Sequence, residues 1–343
     1  MKITVQSRTG ETTLECADNE AILHAGLRQG ISLPYECATG TCGTCRARVV
    51  SGDVEVRWKE APGGTRLKPD KGDILMCQTR ARSDCVLKVP SEVGTMDARP
   101  APRNGVIRNI RKLTKDVARF DIDLSVPMSF EAGQFVVIDS ADVVGARAYS
   151  MVNFDTEVRR IELVAKRKPG GKFTDWLFGA QQGDPEVAVF GPLGRAVFRS
   201  DEGKNILSIA GGSGIAGIMS ILECAVRADY FREHKGSVFF GVRTMQDAFY
   251  LETLARYVDS SHGNLVVTIV LSDEIAMTPF HADYPSLRLA SGLVHEVAGQ
   301  AMASAAEDAI AFVAGPPVMV DAAIRGLIIC GMPRQDIRYD KFG

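Results

Sequence analysis

Apolar and polar residues alternate with a period of two over Ile3–Ser7 and again over Thr12–Cys16, which predicts a pair of strands at the start of the chain. From Asn19 the spacing becomes helical in NEAILHAGLRQG, with Asp18 or Asn19 placed to cap and Gly30 to stop the helix. A cysteine-bearing loop and another strand, RARVVSG, follow. Glu92–Gly105 is polar, carries two prolines and has no period, so it predicts a linker. Short β-patterned runs then recur between turns: Val106–Ile110, Val117–Leu124, Phe135–Ser140, Ala148–Asn153, Ile161–Lys166 and Glu186–Phe190, with one brief helix from about Lys172. Six strands at this spacing predict a small antiparallel barrel. Beyond residue 201 strands and helices alternate. NILSIA, SVFFGV, NLVVTIVL and AIAFVAG read as strands, and IMSILECAVRA, Asp247–Tyr257, Leu293–Ala298 and VMVDAAIRGLII as helices. That order predicts a parallel sheet with helices on both faces.

Composition narrows the class. A chain of 343 residues is too long for one ordinary core and predicts two or three domains. A net charge of −2 offers no basic field for nucleic acid or anionic lipid. No run of about 18 apolar residues suggests a membrane span, and the alternating N-terminus lacks the apolar region of a signal peptide. Eight cysteines in such a chain read as reduced thiols or metal ligands, so the expected compartment is the cytoplasm.

Four of those cysteines carry the strongest chemical signal. Cys37, Cys42 and Cys45 are spaced C-x4-C-x2-C, and Cys77 follows after 31 intervening residues. This is the plant-type [2Fe–2S] spacing. Zinc remains the alternative, although it usually takes two C-x2-C knuckles and only Cys42–Cys45 has that form. Gly40, Gly43 and the small residues between the cysteines would let backbone N–H groups point at the sulfurs. Cys16, Cys85, Cys224 and Cys330 have no partner spacing and are expected to be buried apolar thiols.

Further motifs follow in a telling order: RAYS (Arg147–Ser150) late in the barrel, KPGGKFT (Lys168–Thr174) before a helix, GPLG (Gly191–Gly194), a Gly-rich loop and AGPPVM (Ala314–Met319). The order resembles the ferredoxin–NADP reductase superfamily. With the cysteine segment in front, the whole chain resembles the reductase component of bacterial multicomponent aromatic-ring oxygenases and hydroxylases. The resemblance implies a β-grasp ferredoxin-like domain (1–93), a six-stranded antiparallel β-barrel FAD domain (103–200) and an α/β parallel-sheet nucleotide domain (201–343). It implies that Arg147 pairs with the FAD pyrophosphate, beside Ala148. Tyr149 would stack on the isoalloxazine and Ser150 would hydrogen-bond near N5. Val164 and Lys166 would line the ribityl and phosphate region, while Gly171, Lys172 and Thr174 would meet the pyrophosphate at a helix start. Phe342 would cover the other flavin face, so that Ser150 and Phe342 flank the reacting ring. Gly315, Pro316 and Met319 would belong to the nucleotide site.

GSGIAG (Gly212–Gly217) fits the G-x-G-x-x-G dinucleotide fingerprint, but that reading requires an acid after the next strand, where Arg243 stands. Gly211, Gly212, Ser213 and Gly214 are therefore taken as a reductase-type pyrophosphate loop. Gly217 stands where the superfamily usually has proline, and Ala314 where it commonly has cysteine. Arg243 would suit a 2′-phosphate. Ser272 is followed by Asp273 and Glu274, however, where NADPH-using relatives commonly place a Ser-Arg pair. These carboxylates predict NADH over NADPH.

The implied activity divides electrons: NADH delivers two as hydride to FAD, and a [2Fe–2S] cluster hands them on singly to a terminal oxygenase or its Rieske-type ferredoxin. Neither nucleic acid nor membrane is an expected partner. Two alternatives stand beside this reading: a reductase of the same build feeding a non-oxygenase acceptor such as a sugar-deoxygenating enzyme, and a non-catalytic ferredoxin fused to a nucleotide-binding module.

Overall fold

A computed structural model describes residues 1–96, 99–141, 143–179, 183–275, 283–305 and 308–341. Met1–Arg103 packs with the segments Val136–Ala148 and Ala188–Leu193 into one compact unit, and the rest of the chain forms a second.

The alternating N-terminal runs form a hairpin of β1 (Lys2–Ser7) and β2 (Gly10–Glu15). Three more strands complete the sheet: β3 (Arg46–Ser51), β4 (Asp73–Leu75) and β5 (Cys85–Lys88). β1 runs parallel to β5, and β3 lies antiparallel to both β5 and β4, giving the order β2-β1-β5-β3-β4. Helix α1 (Ile22–Arg28) buries Ile22, Leu23, Ala25 and Leu27. Its Gly26 leaves room for Leu33 and Leu14, so the helix lies close on the sheet. This is the β-grasp arrangement. The helix begins three residues later than expected, because Asn19 is left-handed (φ +63°) and the Ala21 cap has no side-chain bond. Glu20 instead accepts the Ala17 N–H and pairs with Arg28 at 2.6 Å, so the polar residues close a turn ahead of the helix. Gly30 (φ +78°) ends the helix as expected.

The barrel strands are β6 (Ala101–Lys112), β7 (Val117–Met128), β8 (Phe135–Ser140), β9 (Val143–Ser150), β10 (Val158–Lys166) and β11 (Glu186–Leu193). They form one six-stranded sheet in the order β9-β8-β11-β6-β7-β10. The expected linker is shorter than its composition suggested. Gly94–Thr95 pairs with Ile31–Ser32, and β6 begins at Ala101 despite its proline. The brief helix is α2 (Lys172–Gly179).

The third segment builds a parallel sheet of β12 (Asn205–Gly211), β13 (Gly236–Val242), β14 (Leu265–Leu271), β15 (Arg288–Ser291), β16 (Ala309–Gly315) and β17 (Ile337–Lys341). The order is β15-β14-β13-β12-β16-β17. Helices α3 (Ile215–Arg227) and α4 (Leu251–Asp259) contribute Ile218, Leu222 and Leu254 to one face, against Ile206, Val238 and Phe240. Helices α5 (Val294–Ala305) and α6 (Pro317–Ile329) bring Ala298, Val320 and Leu327 to the other, against Leu207, Ile209 and Phe239. Burial on both faces explains why these strands are continuous apolar runs. The sequence reading missed β15 and β17. Both are short edge strands with polar residues, and only their neighbours make them strands.

Candidate functional site

Cys37, Cys42 and Cys45 lie on the loop between α1 and β3, and Cys77 sits in a single 3-10 turn, Met76–Gln78, after β4. The β3–β4 register sets Arg46 opposite Leu75, which brings Cys45 to Cys77 with the sulfurs 3.2 Å apart. In the other pair the Cys42 N–H donates to the Cys37 sulfur at 3.4 Å. The Thr39 N–H reaches that same sulfur at 3.4 Å, and the Thr44 N–H reaches Cys42 at 3.5 Å. Side-chain hydrogen bonding from Cys42 pulls the Cys37 thiol far below its ordinary range, against the effect of burial. The loop achieves this through Gly40 (φ +89°) and Gly43 (φ +81°), both left-handed. A β-carbon on Gly43 would also stand 2.8 Å from the Gly63 carbonyl.

Among the described residues no three ligating side chains converge on one point. The cysteines stand as two pairs, Cys37/Cys42 and Cys45/Cys77. A zinc ion wants four thiolates around a single centre, whereas a binuclear cluster takes two on each iron. The paired sulfurs and inward N–H groups fit [2Fe–2S]. The remaining cysteines divide: Cys16 and Cys85 are buried as expected, Cys224 is half-buried and Cys330 is exposed at the end of α6, contrary to expectation.

Arg147, Ala148, Tyr149 and Ser150 close β9. The Arg147 guanidinium donates to the Ala146 carbonyl at 2.9 Å and lies over the Trp58 ring, 5.8 Å from its centroid. Tyr149 stands edge-on to Phe120 at 5.7 Å and tilted to Phe173 at 5.6 Å. Ser150 is buried against the first turn of α3, where a β-carbon on Gly217 would come 3.4 Å from the Ser150 Cβ. Val164 is buried in the apolar cluster with Ile215 and Met219, and Lys166 is exposed and paired with Asp116 at 3.5 Å. Ahead of α2, the Thr174 hydroxyl accepts the Lys168 N–H at 3.2 Å and donates to the Gly171 carbonyl at 3.1 Å. A β-carbon on Gly171 would lie 2.8 Å from both the Lys168 carbonyl and the Thr174 hydroxyl, so this turn requires glycine. Lys172 is exposed at the helix start.

The Gly-rich loop and the AGPPVM segment, about 100 residues apart, come together at the ends of β12 and β16. A side chain on Gly214 would overlap the Ala314 carbonyl, and one on Gly211 would stand 2.9 Å from Met319 and 3.2 Å from Pro316. Gly315 (φ +147°) faces Gly211 and Met319 in turn. Gly212, Ser213 and Gly214 form a 3-10 turn that runs directly into α3. This places backbone N–H groups at a helix start beside glycine-bearing strand ends, which suits a pyrophosphate. Arg243 is exposed after β13, and its carbonyl accepts the Asp273 N–H at 2.9 Å. Asp273 accepts the Ser272 hydroxyl at 2.6 Å, and Glu274 accepts the Met245 N–H at 2.8 Å. Phe342 lies outside the described residues. Gly63 was missed in the sequence; its only local sign was the pair of glycines after Pro62.

Paired thiols fit for a two-iron cluster, a six-stranded barrel and a parallel sheet with a glycine-rich turn leading into a helix define an iron–sulfur flavoprotein of the nicotinamide-linked oxidoreductase class. Three successive segments match known families: the 2Fe-2S iron-sulfur cluster binding domain over residues 3–82, the oxidoreductase FAD-binding domain over 104–198 and the oxidoreductase NAD-binding domain over 209–325. The chain is 31% identical over 337 residues to the ferredoxin–NAD(P)(+) reductase CarAd of Metapseudomonas resinovorans, covering 97% of this chain and 98% of that protein. It is 37% identical over 246 residues to the ferredoxin–NAD(+) reductase component of the alkene monooxygenase system of Xanthobacter autotrophicus, covering 71% and 74%. The solved ferredoxin reductase in carbazole 1,9a-dioxygenase superposes with a TM-score of 0.84 at 29% identity, covering 100% of this chain and 99% of the other. The chain belongs to the family of ferredoxin–NAD(P)+ reductase components of oxygenase systems. It is an electron-transfer oxidoreductase that uses a nicotinamide nucleotide, FAD and [2Fe–2S], with an oxygenase or ferredoxin as partner. No helix among the described residues is long and apolar enough to cross a membrane.

Proposed function

We propose that this chain prefers NADH to NADPH and passes single electrons to the terminal oxygenase, or to the Rieske-type ferredoxin, of a system hydroxylating an aromatic compound. When bound, FAD supplies hydride acceptance and [2Fe–2S] supplies one-electron release. The residues given above to each cofactor keep those roles, within domains spanning 1–93, 103–200 and 201–343. The Arg147 fork holds the pyrophosphate of FAD, Tyr149 stacks on its ring, and Ser150 donates near N5. Gly171, Lys172 and Thr174 shape the second phosphate turn, and Phe342 shields the far flavin face. Gly211–Gly214, with Gly315, Pro316 and Met319, orient the nicotinamide nucleotide.

The observation that carries the nucleotide preference is the carboxylate pair at the ends of β13 and β14. Glu274 reaches across to the Met245 N–H, and Asp273 stands next to it on the exposed turn after Leu271. Ribose hydroxyls would find acceptors there, whereas a dianionic 2′-phosphate would be repelled. One like-charge contact at about 4 Å costs on the order of 4 kcal/mol at an effective dielectric near 20. Exposure and salt reduce this to about 1–2 kcal/mol, or roughly tenfold.

Comparing kcat/KM for NADH and NADPH at fixed salt tests the preference. The expected result is at least a tenfold advantage for NADH, narrowed in Asp273→Arg through NADPH affinity; equal values in the native chain would sink it. The order of transfer is tested by Cys42→Ser, which should lose cytochrome c reduction while keeping FAD and most NADH-dependent ferricyanide reduction. Loss of both activities with FAD retained would place the cluster elsewhere in the path.

A further inference from the structure

The rim of the cysteine loop is basic although the chain as a whole carries a net charge of −2. Three of the four ligands are buried, and Cys42 is half-buried beside the exposed Thr44, so the loop meets solvent at that edge. Two segments adjoin the cysteine loop. One is the start of β3, where Arg46 and Arg48 follow Cys45. The other is the long connection from Val56 to Asp73, whose Gly63 N–H donates to the Gly40 carbonyl at 2.8 Å and so lies directly on the cysteine loop. The same connection returns to β3 at Asp73. That carboxylate is buried and shared by Arg46 at 2.8 Å, Arg48 at 2.8 Å and the Lys68 N–H at 3.1 Å. One anion thus anchors two guanidiniums whose side chains remain 43% and 45% exposed.

Around this anchor the charge is lopsided. In these two segments Arg46, Arg48, Arg57, Lys59, Arg66, Lys68 and Lys71 stand against Glu60, Asp70 and Asp73, an excess of four positive charges that Glu36 beside Cys37 reduces to three. Arg57 is the one of the seven paired outside them, with Asp139. Lys59, Arg66, Lys68 and Lys71 are exposed, and among the described residues none of their side chains has an ion-pair partner. A structural role for so many cations would show carboxylates among them, as at Asp73. A solvated face indifferent to partners would carry the two signs in about equal number.

We propose that this basic rim is the docking surface for the electron acceptor, and that the acceptor presents an acidic face around its own redox centre. The proposal rests on the reading of the chain as a reductase and adds the sign and place of the contact. Because the edge at Cys42–Thr44 is where the cluster site meets solvent, a partner steered to the rim arrives at the point of shortest transfer. Steering by complementary charge raises association rates by about tenfold to a thousandfold and weakens steeply with salt.

The test uses the full chain with both cofactors, NADH as electron donor and two haem proteins as single-electron acceptors: cytochrome b5, which is anionic around its haem, and cytochrome c, which is cationic. Each NADH oxidised to NAD+ releases a proton and two electrons, which reduce two ferric haems to ferrous, one electron to each. The native chain is expected to reduce cytochrome b5 at a rate that falls with salt, and cytochrome c at a rate that does not. In Arg66→Glu/Lys68→Glu/Lys71→Glu, the cytochrome b5 rate at low salt should fall about tenfold or more and the cytochrome c rate should rise. Ferricyanide reduction and the visible spectrum should be unchanged. Unaltered rates and salt slopes for both haem proteins would overturn the proposal. So would rates insensitive to reversal combined with retention of the native chain on phosphatidylserine vesicles, which would assign the rim to lipid. If the reversed chain lost its cluster, the neutral Arg66→Gln/Lys68→Gln/Lys71→Gln chain would decide, with the same direction expected at about threefold and an unchanged slope refuting it. Failure of the native chain to reduce ferricyanide with NADH would instead sink the reductase reading itself.

Discussion

Gly63→Ala isolates how the cysteine loop is held shut. Gly63 is not left-handed, so alanine meets no backbone obstacle there and the effect is purely one of space. The added methyl would sit 2.5 Å from the Gly43 nitrogen and 2.8 Å from the Gly40 carbonyl, both backbone atoms. Ordinary contact begins about 1 Å further out, so the Pro62–Gly64 turn must lift away from the loop. A shift of that size breaks the 2.8 Å hydrogen bond from the Gly63 N–H to the Gly40 carbonyl. Losing the bond costs about 1 kcal/mol, and a carbonyl left without a partner about 1–3 kcal/mol more. Together about 2–4 kcal/mol favours the open loop, a factor of roughly 30 to 1,000. The assay is iron and sulfide content per chain, with the rate of bleaching of the visible cluster bands in air. Gly63→Ala should bleach at least about tenfold faster while binding FAD normally. Gly64→Ala is the control, since its methyl would meet only the Leu67 side chain at 3.8 Å, and it should behave like the native chain. Native bleaching in Gly63→Ala, or equal damage in both variants, would refute the reasoning.

Three other outcomes are expected. His24 stacks on Phe190 at 4.0 Å, and its buried Nε2 has no hydrogen-bond partner among the described residues; burial lowers its pKa to about 4. A depressed histidine stabilises the fold above its unfolded pKa near 6.5 and loses that contribution as pH falls toward 4. Urea unfolding of the native chain should therefore weaken by up to about 3 kcal/mol over that window, and His24→Leu should flatten it. Tyr250 donates to Glu162 at 2.8 Å, a carboxylate whose pKa burial raises. Tyr250→Phe should cost about 1–3 kcal/mol in chemical denaturation, and an unchanged midpoint would show the bond to be idle. Gly217→Ala adds a β-carbon in ordinary contact with Ser150 at the first turn of α3. It should gain up to about 1 kcal/mol of stability, and a loss would mean the turn is tighter than its contacts show.

Much of this protein was legible along the chain because its signals are short-range. The C-x4-C-x2-C spacing, the period-two runs and the alternation of apolar strands with helices each depend on residues within about a dozen positions of one another. Those signals carried the three-part architecture and the close trio Cys37, Cys42 and Cys45, whereas Cys77, 32 positions from Cys45, lies beyond their range. What they left open was decided by contacts between residues far apart in sequence. The pairing of Cys45 with Cys77 and not with Cys42 follows from the β3–β4 register. The role of Gly63 exists only because its turn lies on Gly40 and Gly43, about 20 residues away. Arg338 and Tyr339 carry no strand signal of their own, and it is pairing with β16 that makes them a strand. Glu274 acquires a fixed position by accepting the N–H of Met245, 29 residues earlier. A hydrophobic period records which face of an element is buried, but it carries no information about which distant partner buries it. Register, loop closure and the placing of charge around the cysteines are settled by that partner, and so only by the folded chain.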